Sequence, residues 1–220
     1  MAKTILITGA NRGIGRELAS QAGQSGADVT GTARDPSAAS DPPCPLIACD
    51  VSDPESLKVL ADGPPLDLLV CNAGQYLARG TLDDPSQTRE AWNAVLMANV
   101  AGAFFTVQAV IDRLRAAEGA KIAIISSMMG SSARAPGGSM LYRASKAAAT
   151  NLAANLAAEL GSDGIAVGAY HPGWVRTDMG GSAADISVEE SAAGLLARFE
   201  ALDLSTSGVF EDYAGATIPF

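Results

Sequence analysis

Thr8-Gly9-Ala10-Asn11-Arg12-Gly13-Ile14-Gly15 follows a short β-branched run, Thr4 to Thr8, and leads into a helical pattern from Arg16 that Gly26 can cap. Glycines where a strand turns into a helix let the backbone bend tightly. They also let a diphosphate approach the helix N-terminus, where unpaired N–H groups and the helix dipole favour an anion. The spacing G-x-x-x-G-x-G is a variant of the dinucleotide-binding fingerprint. Gly9, Asn11, Arg12, Gly13, Ile14 and Gly15 are therefore candidate cofactor contacts.

Outward from this turn, strands and helices alternate. Asp28 to Ala33 reads as a second strand. A fold that binds NAD would place an acidic residue at its end, to hold the ribose 2′-OH. Here the end reads Ala33-Arg34, and Arg34 with Arg12 suits a 2′-phosphate. Two charge-assisted contacts of ~1.5–3 kcal/mol each would favour NADPH roughly a hundred-fold or more. Asp35 to Pro45 carries four prolines and no helical period, so a crossover helix is expected to be missing there. Leu46 to Cys49 is a third strand ending in Asp50-Val51, and Ser52-x-x-Glu55 is spaced as a capping box.

Leu66 to Val70 is a continuous apolar strand followed by Cys71-Asn72-Ala73-Gly74, whose small residues let a flat ligand lie against the backbone. A long helical pattern covers about Thr88 to Ala116, its apolar face interrupted by Asn99. A buried amide there needs partners, either as a structural bridge or as a site residue. Ile122 to Ile125 is a fifth strand running into Ser126-Ser127. Gly164 to Ala169 is a sixth, leading to His171-Pro172-Gly173-Trp174-Val175-Arg176-Thr177. Ser187-x-x-Glu190 is a second capping box, opening a helix to about Leu202, and Val209-Phe210 reads as a last strand. The alternation predicts an α/β fold: one Rossmann-type, doubly wound parallel sheet of about seven strands over residues 1–220, with helices on both faces. Ligands of such sheets bind outside the carboxyl ends of the strands.

Composition bounds the function. Apolar residues make up 48% and charged residues 18% of 220, which suits one globular domain. A net charge of −9 without a Lys/Arg cluster argues against a nucleic-acid partner. Cys44, Cys49 and Cys71 with the single His171 build neither a disulfide framework nor a metal cluster. No apolar stretch is expected to approach the ~18 residues of a membrane span. A soluble, cytoplasmic setting follows as the default.

The chemistry is carried by Leu141-Tyr142-Arg143-Ala144-Ser145-Lys146, which opens an alanine-rich helix to about Leu160. Positions i and i+4 share a helix face, so the Tyr142 phenol and Lys146 ammonium point the same way. A phenol has a pKa near ~10; a neighbouring cation favours the phenolate, and a drop of ~3 units needs roughly 4 kcal/mol of differential interaction. A phenol tuned in this way is usable as a general acid or base.

Read together, the Thr8–Gly15 turn, Asp50, Asn72-Ala73-Gly74, Asn99-Val100-x-Gly102, Ser127, Tyr142-x-x-x-Lys146 and Pro172-Gly173-x-Val175-x-Thr177 resemble the short-chain dehydrogenase/reductase family over nearly the whole chain. Within it the chain is most similar to the short C-factor and sniffer-like carbonyl reductases. The resemblance implies a catalytic tetrad of Asn99, Ser127, Tyr142 and Lys146. Tyr142 would protonate the substrate oxygen, Ser127 would hold that oxygen, Lys146 would bond the nicotinamide ribose and lower the Tyr142 pKa, and Asn99 would hold a water. Ser126 and Ser131 remain alternatives for the serine role. Asp50 and Val51 would border the adenine, Asn72, Ala73 and Gly74 the middle of the cofactor, and Pro172, Gly173, Val175 and Thr177 the carboxamide.

The activity implied is NADPH-dependent reduction of an aldehyde or ketone, with NADP(H) favoured over NAD(H) and a homodimer or homotetramer as the assembly. A cofactor-binding regulator and an NAD-linked secondary-alcohol dehydrogenase are the alternatives. Between Thr177 and Ser187 there is little room for the helical lid of many relatives. A short substrate loop near 178–187 and an open, shallow pocket are expected.

Overall fold

A computed structural model describes residues 2–220. The strands β1 (Thr4–Ile7), β2 (Asp28–Ala33), β3 (Leu46–Ala48), β4 (Leu68–Cys71), β5 (Lys121–Ile125), β6 (Ala166–His171) and β7 (Phe210–Asp212) form one sheet, in the order β3-β2-β1-β4-β5-β6-β7. Every neighbouring pair is parallel. Strand order reverses between β1 and β4, which opens a crevice at their carboxyl ends. The helices are α1 (Gly13–Gln24), α2 (Pro54–Leu57), α3 (Arg89–Leu96), α4 (Gly102–Arg115), α5 (Met140–Leu160) and α6 (Val188–Ala201).

Side chains alternate along each strand, so both faces of the sheet are apolar. Ile5 and Ile7 of β1 and Val70 of β4 pack under α1 and α6, with Leu18, Leu195 and Phe199. Leu6, Leu69 and Cys71 face the opposite layer, with Val107, Val110 and Leu114 of α4 and Leu156 of α5. Two hydrophobic layers around one sheet are what the continuous apolar strand runs require.

Several local expectations change. Between β2 and β3 only a three-residue 3₁₀ turn, Pro36–Ala38, stands in for a crossover helix, as the prolines foretold. The first capping box is not made. Ser52 donates its hydroxyl to Asp50 Oδ1 at 2.7 Å, and Asp53 caps α2 by accepting from Glu55 N at 3.0 Å. Pro54 at the first helical position suits that start. At α6 the forward half of the expected box forms, Ser187 Oγ accepting from Glu190 N at 3.1 Å.

The pattern over 88–116 is one continuous helix, Arg89–Arg115, with a π-helical turn at Met97–Ala101 in its middle. The expectation that no apolar stretch reaches membrane length is corrected here. No charged residue lies between Glu90 and Asp112, and the helix is long and apolar enough to cross a membrane. Its apolarity has another use, since Val107, Val110 and Leu114 are buried against the sheet.

Candidate active site

The crevice is floored by the glycine turn. Arg12 has extended backbone and its side chain makes no cap, so the first N–H groups of α1 are left for an incoming acceptor. Gly9 and Gly13 have φ of +68° and +53°, a region that side chains disfavour. A Cβ at Gly15 would stand 2.3 Å from Gly9 O and 2.4 Å from Asn72 Nδ2. One at Gly13 would touch Thr177 Cγ2 at 3.5 Å, so the turn faces the 172–177 segment across the crevice. This cradle fits a dinucleotide diphosphate: bare backbone at a helix N-terminus, with Gly15 closed to a side chain by its neighbours and Gly9 and Gly13 by their positive φ. Beside it lies an open hollow of about 310 Å³ lined by Gly13, Arg16, Arg176, Thr177 and Asp178.

Asn72 ties the glycine turn to the tip of β4. Its Nδ2 donates to Thr8 O at 2.9 Å and Gly9 O at 3.2 Å, so its amide clamps the glycine turn. Thr8 Oγ1 in turn accepts from Asn72 N and Ala73 N, both at 3.0 Å. The tips of β1 and β4 are thus locked to each other. Ile14, half buried, packs into the layer beneath α1, and Asn11 is also half buried at the turn.

At the adenine end, Arg34 is exposed at the tip of β2. Burial pushes the Asp50 carboxyl upward, but the Ser52 hydroxyl and N–H, with the Arg34 charge, outweigh it and hold the group below its ordinary value. Val51 is buried beside it. Arg12 instead reaches Asp178 Oδ2 at 3.3 Å, an exposed ion pair joining the glycine turn to the loop after Thr177. The two arginines expected to share a 2′-phosphate are therefore not both committed to that end.

The chemistry sits on α5. Tyr142 and Lys146 are both buried, at 9% and 5% exposure. The Lys146 ammonium donates to Ile125 O at 2.7 Å and lies 5.6 Å from the centre of the Tyr142 ring. The expected lowering of the phenol pKa by Lys146 is not what this geometry gives. Burial pushes Tyr142 up to about 12, with Tyr76 adding to the rise and the Ser127 hydroxyl and Arg79 charge pulling the other way. Lys146 itself is brought down to about 8 by burial. Its ammonium is turned to a strand-end carbonyl rather than to the phenol oxygen, so desolvation decides the Tyr142 value.

The serine question resolves by contacts. Ser126 Oγ is tied to Thr150 Oγ1 at 2.6 Å and Lys146 O at 3.0 Å, within the β5–α5 packing. Ser131 Oγ is buried without a partner, among the described residues. Ser127 is the one set beside the Tyr142 phenol; its Oγ accepts from Met129 N at 3.1 Å. Gly130 makes that turn possible, because a Cβ there would lie 2.7 Å from the Lys146 carbonyl carbon.

Asn99, in the π turn, is a bridge. Its Oδ1 accepts from Gln75 N at 2.7 Å, and its Nδ2 donates to Gln75 O and Ser145 Oγ, both at 2.9 Å. Both amide protons are thereby used, and the side chain staples the chain after β4 to α5. A Cβ on Gly74 would stand 3.0 Å from Asn99 Oδ1 and 3.8 Å from Lys146 Nζ. Gly74, Asn99 and Lys146 converge.

One face of the Tyr142 ring is covered by a second tyrosine. Tyr76 stacks on Tyr142 with ring centres 4.2 Å apart and an interplanar angle of 29°. The Tyr76 hydroxyl meets Ser139 Oγ at 2.8 Å. Arg79 lies over the Tyr76 ring, 4.3 Å from its centre, and donates to Met179 O at 3.2 Å. Across the mouth, the 175–186 loop has no helix. It is pinched by a Val175–Ile186 bridge, with Arg176 Nη1 donating to Ala184 O and Asp185 O. Gly173 at φ +87° and Pro172 O, accepting from Ser191 Oγ at 2.6 Å, fix its approach. Sequence reading singled out neither Tyr76 nor Arg79. No periodicity marks a loop residue, and the only available signal was their place just beyond a β4 tip already marked by Asn72-Ala73-Gly74.

Comparison with known proteins follows the same lines. The short chain dehydrogenase family model matches residues 3–186. The C-signal protein of Myxococcus xanthus is 33% identical over 160 residues, 71% of this chain and 93% of that one. The NADPH-bound carbonyl reductase from chicken fatty liver superposes with a TM-score of 0.90 at 30% identity, over 100% of this chain and 99% of that one. The carbonyl reductase Sniffer of D. melanogaster also reaches 0.90, at 25% identity, over the full length of both chains.

Proposed function

The chain belongs to the short-chain dehydrogenase/reductase family of oxidoreductases, and from that premise we propose that it reduces an aldehyde or ketone at the expense of NADPH, with Tyr142 as the general acid. The observation that carries this reading is the buried Tyr142, with the Ser127 hydroxyl beside its phenol and Lys146 one helical turn on, at the strand tips next to the glycine cradle. A bound NADPH would supply the hydride. The chain's part is to place and polarise. Ser127 Oγ orients the substrate oxygen, and the Tyr142 hydroxyl delivers the proton to it. Lys146 Nζ uses one donor on Ile125 O, which leaves two for a ribose hydroxyl. Gly9 to Gly15 would hold the diphosphate, Arg34 a 2′-phosphate, and Thr177 and the 172–175 backbone the nicotinamide end.

NADPH over NADH is favoured by Arg34, which directly follows the last residue of β2 with Asp35 one step further on, and by the NADPH carried by the chicken enzyme. A purely regulatory role, raised by the likeness to C-signal, is disfavoured because both Tyr142 and Lys146 are present and buried together. The test is NADPH consumption against a panel of aldehydes and ketones, repeated with Tyr142→Phe. Loss of a positioned acid costs about 10²–10⁴-fold in rate. Turnover that survives the substitution would remove Tyr142 from its role.

A further inference from the structure

Resting on the carbonyl-reductase reading, we propose that Arg79 is a specificity residue that anchors a carboxylate on the substrate, so that the preferred substrates of this site are oxo acids. The argument starts from where the cation stands. Tyr142 is covered on one face by Tyr76, and Tyr76 by the Arg79 guanidinium, at spacings of 4.2 and 4.3 Å. The stack sets the Arg79 cation two stacking spacings from the Tyr142 ring, on the side of the site where Tyr76 lies. Arg79 also spans the mouth, since it rises from the chain after β4 and donates across to Met179 O in the loop after Thr177.

What Arg79 lacks is an acid. In a chain of net charge −9, no carboxylate lies within ion-pair distance of it among the described residues. Asp84 lies against Gly80, the next residue, yet its Oδ1 is given to Ser86 N at 2.8 Å. Of the other arginines at the mouth, Arg12 has Asp178, and Arg176 Nη1 is spent within its own loop on Ala184 O and Asp185 O. A guanidinium carries five N–H donors in a planar fork. Only two contacts are made, to Met179 O at 3.2 Å and a long one to Tyr76 O at 3.4 Å, both with neutral carbonyls. Arg79 is exposed, so the remaining donors are open to a ligand, and a planar carboxylate matches that fork better than any neutral group. Stacking on Tyr76 fixes the guanidinium plane in advance, so little freedom is lost when an anion binds.

The experiment uses matched pairs: benzoylformate with its methyl ester, and 4-oxopentanoate with its methyl ester. The acid-to-ester ratio of kcat/KM is measured with NADPH for wild type, Arg79→Lys and Arg79→Gln. One charge-assisted anchor corresponds to roughly 10- to 100-fold. The wild-type ratio is expected above one for at least one pair, to fall by about that factor in Arg79→Gln, and to recover partly in Arg79→Lys. Esters reduced as well as acids in both pairs, or a ratio untouched by Arg79→Gln, would overturn the proposal. Mandelate, the reduced form of benzoylformate, is titrated by calorimetry into wild type and Arg79→Gln as a readout without turnover. Binding lost in Arg79→Gln supports the anchor even if no carbonyl is reduced, a result that would sink the reductase reading alone. Equal binding by both proteins, or none by wild type, overturns the anchor.

Discussion

One helix, α1, holds two glycines for which the same substitution should act in opposite directions. At Gly15 an added methyl would lie 2.3 Å from the Gly9 carbonyl oxygen and 2.4 Å from Asn72 Nδ2. Neither neighbour can retreat cheaply, because Asn72 holds Thr8 O and Gly9 O while Thr8 Oγ1 holds the β4 tip. Overpacking of this kind costs about 1–3 kcal/mol. At roughly 2–4 °C per kcal/mol for a chain of this size, Gly15→Ala should lower Tm by about 2–12 °C.

Gly23 sits near the other end of the same helix, exposed, with nothing within 4 Å of its would-be Cβ. Gly23→Ala should therefore raise stability by about 0.4–1 kcal/mol through lost freedom of the unfolded chain. Thermal unfolding without cofactor reads both, and NADPH titration by fluorescence reads the cradle. Gly15→Ala should bind NADPH at least about ten-fold more weakly, since a displaced turn forfeits one charge-assisted contact or more. An unfolding temperature for Gly15→Ala equal to that of Gly23→Ala, with unaltered NADPH affinity, would refute the packing argument and the cradle together.

Three further outcomes follow. His171 is held down to about 4, chiefly by burial, with the Arg134 charge assisting and Asp212 opposing. The unfolded chain then takes up a proton from about pH 6.5 that the folded one refuses until about 4. Stability should thus fall by on the order of 3 kcal/mol across that window, less steeply in His171→Gln, as read by urea unfolding at stepped pH. Lys146, brought down to about 8, has the mirror-image position on the pH axis: the unfolded lysine stays protonated until about 10.5. Relative to Lys146→Met, wild-type stability should climb by on the order of 3 kcal/mol between pH 8 and 10.5, and a flat difference would count against the buried ammonium. Arg34→Asp should reverse cofactor preference, lowering the NADPH-to-NADH ratio of kcat/KM by at least about ten-fold, while Arg12→Ala, whose partner is Asp178, should change it less.

The fold was legible because its signals are local and redundant. Continuous apolar strands such as Leu68–Cys71, glycine turns and the prolines of 36–45 all point to one topology. The placing of Tyr142 and Lys146 on one face of α5 was legible too, because helix periodicity alone sets it. Their partners were not. The Ser52 box failed because a two-residue Asx turn at Asp50 captured the serine before the helix could. Asn99 was readable as a buried amide needing partners, but that they would be Gln75 and Ser145 depends on a π turn no pattern announces. Tyr76 and Arg79 lie in a loop, where tertiary contact alone sets position. The direction of the Tyr142 shift was likewise invisible: spacing says that a cation is near, not that its ammonium is spent on Ile125 O.

That last difference changes how the acid is understood. Side by side in water, phenol and ammonium would titrate almost together, near ~10 and ~10.4. Burial drives them apart, Tyr142 up to about 12 and Lys146 down to about 8, because it opposes charge on both and charge appears at opposite ends of their titrations. Groups separated in this way acquire distinct roles. A phenol held near 12 keeps its proton throughout neutrality, yet it still gives it up to an alkoxide, whose conjugate acid is about as weak as water at ~15.7. In the proposed reduction the proton would therefore move only as hydride arrives and negative charge grows on the substrate oxygen. The roof of Tyr76 serves the same end, since it keeps water from the phenol and so maintains the desolvation that sets its value. The raised Tyr142 value is thus a property of packing around α5, not of the Tyr142–Lys146 spacing by itself.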